Sequence, residues 1–162
     1  MLTSTCAGLL AGGMAMHFEG NFDARAPPAR VYSALMDPNE LSACMPGFQR
    51  AEVKSPGEFT VVVKAGVSFI RGDFTIRFSL AEAREPTHAK LLGRGSGMGS
   101  VVDIEATMDI SEAAGGGSST RWYAEAKVGG KIASLGQRLL EGQAEKIIRE
   151  MFACLRAKFE QG

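Results

Sequence analysis

Residues 74–80 alternate without a break, with Phe74, Ile76, Phe78 and Leu80 on one side and Thr75, Arg77 and Ser79 on the other. A period of two is the spacing at which an extended chain turns successive side chains to opposite faces, so this run predicts a half-buried strand. The same pattern recurs at Val102, Ile104, Ala106, Met108 and Ile110 against Asp103, Glu105, Thr107 and Asp109. It recurs again at Trp122, Ala124, Ala126 and Val128 against Arg121, Tyr123, Glu125 and Lys127. Strand-like runs are read at 16–22, 48–54, 58–65, 69–82, 88–96, 100–111 and 119–128, with breaks at Ser55-Pro56-Gly57, Glu85-Pro86 and Ala113–Ser119. One apolar and one polar face per strand is the pattern of an antiparallel sheet covered on a single side.

Between the first two strands the period changes. Pro27-Pro28 suits a helix start, because proline lacks the amide that a first turn leaves unpaired; residues 28–36 then bury Val31, Leu35 and Tyr32. Asp37 is placed to cap a second short helix over 38–45, which Pro46-Gly47 ends. At the far end, Ile132, Leu135, Leu139, Leu140, Ile147, Ile148, Met151, Phe152, Leu155 and Phe159 recur mostly at steps of three and four. This stripe predicts an amphipathic helix of about 26 residues, with Ser134 as a candidate cap. Strand, two short helices, six strands and a long helix make an α+β fold. The sheet of about seven antiparallel strands curves around the C-terminal helix, and the lack of β-α-β alternation excludes a doubly wound fold.

Composition adds limits. A chain of 162 residues suits a single domain, read as 16–162, with residues 1–15 taken as a disordered or mis-assigned extension. Eighteen Lys plus Arg balance eighteen Asp plus Glu, so no net field steers the chain onto nucleic acid. No apolar run approaches the roughly 20 residues of a bilayer-spanning helix, which leaves at most peripheral membrane contact. Cys6, Cys44 and Cys154 are odd in number and far apart. They are therefore expected to be free thiols of a cytoplasmic protein, whether dispersed or at the inner face of the membrane.

Chemistry-bearing motifs are scarce. Gly93–Gly99 is rich in glycine but leads into a strand, whereas a phosphate-cradling loop must open a helix, so a hairpin is expected. Gly129-Gly130-Lys131 precedes a helix, yet Glu125 and Ile132 stand where a phosphate-binding loop needs Gly and Ser or Thr. The two histidines, His17 and His88, have no second ligand at strand or helix spacing, so no metal or cofactor is expected. No catalytic dyad or triad is visible.

The element order matches the helix-grip fold of the START-like (SRPBCC) superfamily. Asp37-Pro38-Asn39-Glu40-Leu41 through Met45-Pro46-Gly47, Gly66 through Phe74, Gly93 through Gly99, and Val128 through Gly136 stand in the order of four family motifs. Over about residues 16–160 the chain resembles the CoxG family, named for the G-subunit of carbon monoxide dehydrogenase. The resemblance implies a non-enzymatic accessory to a molybdenum-type carbon monoxide dehydrogenase or related redox enzyme, in a superfamily that holds lipids, sterols, quinones or polyketides. Some relatives carry a C-terminal membrane-attaching extension, whereas this sequence runs only to Gly162.

A sheet curled under a helix leaves space that its own side chains need not fill. An empty void of ~300 Å³ costs about 7 kcal/mol at ~24 cal/mol per Å³, comparable to a domain's whole stability of roughly 5–15 kcal/mol. Such a hollow must be collapsed, wetted or occupied by an apolar guest. Phe69, Phe74, Ile76, Phe78, Met98, Met108, Trp122, Leu139 and Phe152 are the candidate walls, with Arg71 and Arg94 at the mouth. Plain core is the commoner role for each apolar member, and an exposed surface for each arginine. Trp122, the only tryptophan, stands out because its indole N–H needs a partner. The leading expectation is a carrier of a hydrophobic small molecule such as a quinone or lipid. A cyclase- or hydratase-type enzyme would need a polar acid or base in the hollow, for which Tyr32, Tyr123 and His17 are the remote candidates. A pure interaction module would have a solid core.

Overall fold

A computed structural model of the chain describes residues 14–67 and 70–161. Its strands are β1 (Met14–Ala24), β2 (Phe48–Ser55), β3 (Glu58–Val67), β4 (Ile70–Arg84), β5 (His88–Gly97), β6 (Ser100–Glu112) and β7 (Ser118–Gly130). They form one antiparallel sheet in the order β1-β7-β6-β5-β4-β3-β2. From β2 to β7 the chain is a plain meander. β1 pairs with the last strand, so the segment leaving it must cross to the opposite edge of the sheet. Helices α1 (Pro28–Met36) and α2 (Pro38–Ala43) make that crossing.

The local devices follow from composition. Pro28 opens α1 and Pro38 opens α2, and the Asp37 side chain accepts hydrogen bonds from the amides of Asn39 and Glu40, as its position predicts. The glycine-rich stretch is a tight hairpin. Gly97 pairs with Ser100, and both turn residues, Met98 (φ 55) and Gly99 (φ 73), take the left-handed conformation that two-residue hairpins require.

The long helix α3 spans Gln137–Gln161 and starts later than its apolar stripe suggests. Lys131–Leu135 form a 3₁₀ turn, and Gly136 at φ 98 separates that turn from the helix. Ser134 therefore caps nothing; its hydroxyl donates to the Lys131 carbonyl. The break also shifts the angular phase, so Leu139 and Leu140 sit on a helix that does not continue the geometry of Ile132 and Leu135. At the other end, Met14 and Ala15, read as part of an extension, are paired in β1 with Val128 and Lys127. Residues 1–13 of that expected extension lie outside the described residues.

The core is split. A larger cluster joins α1, α2, the end of β1, strands β3 to β6 and the last turns of α3, around Phe22, Val31, Leu35, Val61, Phe74, Leu155 and Phe159. A smaller one, of Met16, Val128 and Leu140, sits at the start of α3. Cys44, just after α2, is joined to Cys154 on α3 by a disulfide, with Cα atoms 5.5 Å apart. This corrects the expectation of free thiols for these two residues. They are 110 positions apart in sequence, and only the docking of α3 against α2 brings them within bridging reach. Cys6 lies outside the described residues.

Candidate functional site

The strand registers assemble the concave face in rows. Gly20, Trp122, Met108 and Ala89 lie side by side across β1, β7, β6 and β5. The next row is Phe18, Ala124, Ala106 and Leu91, and the next Met16, Ala126, Ile104, Gly93 and Phe78. Many of these positions are glycine or alanine, so the middle of the face is shallow. Ile104, Ala106 and Ala124 are only half-buried and belong to neither core cluster, and the same holds for Ala144 and Ile148 on α3. Of the described hydrophobic residues, only Val102 packs against both clusters. Solvent thus reaches the centre of the face that α3 spans, while both ends are packed.

The larger cluster borders this gap with aromatic rings. Phe152 on α3 lies 4.8 Å from Phe22 and 5.3 Å, edge to face, from Trp122, measured between ring centroids. Trp122 has this room because residue 20 is glycine. A Cβ there would stand 3.0 Å from Trp122 Cζ2 and 3.3 Å from its Nε1. The Nε1 is buried without a hydrogen-bond partner, as is Oγ1 of Thr120, two residues earlier on the same inner face of β7. Thr120 itself is 3% exposed.

The expected wall residues separate into groups. Phe74, Ile76, Phe78, Met98, Met108, Trp122 and Phe152 all belong to or pack against the larger cluster. Met98, at the β5–β6 hairpin tip, lies over Gly72 of β4. Phe69 lies outside the described residues. Leu139 is 42% exposed and faces outward, with the buried Leu140 taking the inner position, because at about 3.6 residues per turn Leu139 falls on the side of α3 opposite Ile148 and Leu155. Arg71 and Arg94 do not line an interior mouth. Both fall on the outer parity of their strands and are exposed, and Arg94 pairs with Asp103 at 3.5 Å. Sequence patterning does not single out Gly20 and Thr120, although their inner parity beside Trp122 is a readable signal.

The enzyme-type candidates do not converge. His17 sits on the outer face between Glu19 and Glu125, and Tyr123, also outside, accepts a hydrogen bond from Arg121. Tyr32 is buried in α1, where burial, and secondarily Glu85, pushes its phenol above the usual range. Such a phenol stays neutral and is a poor base. The outer face carries the strongest charge cluster, in which His88 Nδ1 lies 2.6 Å from Asp109 and Nε2 2.7 Å from Glu82. The hydrogen bonds to Asp109 and then Glu82 raise the His88 pKa, and the bond from His88 lowers that of Glu82. Among the described residues, no group of three or more His, Cys, Asp or Glu side chains is arranged to hold a metal ion.

Two clefts open elsewhere. One of about 420 Å³ lies between Pro27–Ala29, Pro86–Thr87 and Ile110–Glu112. The other, of about 610 Å³, runs along the first turns of α3 beside Leu135, Leu139 and the cations Arg138, Lys146 and Arg149. No described helix is long and apolar enough to cross a membrane.

The sequence profile of CoxG, the carbon monoxide dehydrogenase G-subunit, matches residues 20–160. The chain belongs to the CoxG family. Its fold is START-like, with a seven-stranded curved sheet, two short helices after the first strand and a long C-terminal helix. A conserved protein from Geobacillus kaustophilus is 26% identical with a TM-score of 0.84, over 90% of this chain and 96% of that one. A START superfamily protein from Mycobacterium smegmatis is 12% identical with a TM-score of 0.68, over 90% and 97%. The ZhuI aromatase/cyclase from Streptomyces sp. R1128 is 14% identical with a TM-score of 0.65, over 91% and 95%. The last two share the fold alone. No protein with a curated description matches this CoxG chain.

Proposed function

We propose that this CoxG family member binds and carries an apolar small molecule, a quinone or a lipid, beneath α3. In this reading it is a non-enzymatic accessory to a molybdenum-type carbon monoxide dehydrogenase or a related redox enzyme. The observation that carries the proposal is the divided core. Ile104, Ala106 and Ala124 lie between two packed ends and are sealed by neither. An apolar surface left half-open to water gains roughly 25 cal/mol for each Å² a guest covers, which is the driving force for binding. The lack of converging acid and base groups among the described residues supports carriage over catalysis, and the family name supports service to a dehydrogenase. Arg138, Lys146 and Arg149 have no ion-pair partner among the described residues and flank the exposed Leu139, which suits peripheral contact with an anionic membrane holding such a molecule.

Native mass spectrometry of freshly purified protein, followed by organic extraction, tests the reading. A bound apolar molecule, or uptake of added menaquinone or fatty acid at one per chain, is the expected result. A chain that is empty as isolated and ignores both additions overturns it.

A further inference from the structure

The Cys44–Cys154 bridge is not the only thing that holds the end of α3 in place. Leu155 and Phe159 are buried there at 1% and 3% exposure. Arg156 donates to the Asp23 carbonyl at 3.5 Å and lies over the Phe22 ring, and Lys158 Nζ donates to the Glu40 carbonyl on α2 at 3.3 Å. Arg30 of α1 pairs with Glu40 at 3.1 Å and lies over Phe159. These contacts keep α2 and α3 neighbours without the covalent link, so a reduced pair stays poised to close again. The two sulfurs are not equally open. Cys44 is 5% exposed, whereas Cys154 is half-buried. Cys154 also shares a turn of α3 with Phe152, whose ring lies 4.8 Å from Phe22 and 5.3 Å from Trp122 at the border of the half-open gap.

We propose that the Cys44–Cys154 bridge is a reversible thiol–disulfide switch that sets how firmly α3 closes the packed end of the gap. The reductant is a dithiol. Its thiolate attacks Cys154 Sγ, the more open sulfur, and the S–S bond breaks with its electron pair leaving on Cys44 Sγ, which takes up a proton. The second thiol of the reductant then displaces Cys154 from the mixed disulfide. The chain ends with two thiols and the reductant with a disulfide, a two-electron exchange that a disulfide oxidant reverses. With the bridge closed, the turn that carries Phe152 is tied to α2. With it open, that turn is held by side-chain contacts alone and moves more freely against Phe22 and Trp122. The effect on a guest rests on the carrier reading, whereas the chemistry of the bridge does not.

Dithiothreitol treatment of the wild-type chain in native buffer, quenched with a maleimide-linked polymer and read as a gel shift of two further labels, tests the bridge itself. The reduction rate is expected to rise in proportion to dithiothreitol and to change little with urea below the unfolding transition. The reduced chain should keep its far-ultraviolet circular dichroism, and oxidised glutathione should restore the bridge. A rate independent of dithiothreitol, a rate that climbs with urea as steeply as global unfolding, or a chain that unfolds on reduction makes the bridge a permanent staple and overturns the switch. Stopped-flow release of the apolar fluorophore N-phenyl-1-naphthylamine then reads the gap. Release should be about tenfold faster from the reduced chain than from the oxidised one, and Cys154→Ser without reductant should match the reduced value. Equal release from both forms overturns the control of the gap while the carrier reading stands. A probe that binds neither form overturns the carrier reading, and the reduction kinetics still decide the bridge.

Discussion

At the residue scale, two positions owe their states to neighbours from other strands. His88 on β5 is held between Glu82 of β4 and Asp109 of β6, and its side chain is only 13% exposed. Its folded pKa lies above the ordinary 6.5, so its stabilising contribution is complete below that value and is lost as pH rises through the higher folded value. Glu82 runs the other way: its folded pKa is depressed below 4.5, so its contribution is present above 4.5 and fades in acid as pH falls through the folded value. Urea unfolding of the wild type should therefore show stability falling as pH rises past 6.5, and His88→Gln should flatten that slope. Gly20 is the second case. Gly20→Val should destabilise the fold by about 1–3 kcal/mol through overpacking and move the Trp122 emission, as read by thermal melting and fluorescence.

At the element scale, α3 is fastened unevenly. Its last turns carry Leu155 and Phe159, at 1% and 3% exposure, and the bridge from Cys154 to Cys44, whereas its first half is anchored mainly by Leu140. Closing a loop with 110 residues of separation restricts the unfolded chain strongly, and removing such a link typically costs about 2–5 kcal/mol. Cys154→Ser, or reduction of the wild type, should lower the urea midpoint accordingly. The first half of α3 should then lose little of its own amide protection, because the bridge does not hold it. A hydrogen-exchange comparison checks this: protection should fall around residues 150–159 and change least near 137–146.

At the scale of the whole molecule, the divided core predicts an unusual tolerance. Enlarging a residue in a filled interior costs about 1–3 kcal/mol, whereas Ala124→Leu projects into the half-open gap. That variant should melt close to the wild type and lose most of its uptake of apolar probe. Leu155→Ala, at the sealed end, should cost about 2–5 kcal/mol. The two melting curves together distinguish a hollow centre from a merely soft one. Strand positions, the inner parity of Phe74, Ile76, Phe78, Met108 and Trp122, the Asp37 cap and the glycine hairpin were all legible in the chain, because each depends on neighbours within a few residues. The start of α3 was not, since Gly136 interrupts a stripe that looks continuous from Ile132 and delays the helix to Gln137. The outward turn of Arg71 and Arg94 agrees with the exposed surface role expected of arginine rather than with the rim their nearby glycines suggested, since the registers assign both to the convex face.

Local periodicity and punctuation were enough to determine the elements, their order and the α+β class, because alternation, capping and turn chemistry act over short spans of chain. Only the folded arrangement decided which cysteines meet, where α3 seals the sheet and where it does not, and that Trp122 and Thr120 end with donors unpaired. These depend on residues distant in sequence approaching within a few ångströms, and the spacing of residues along a strand or helix carries no record of that.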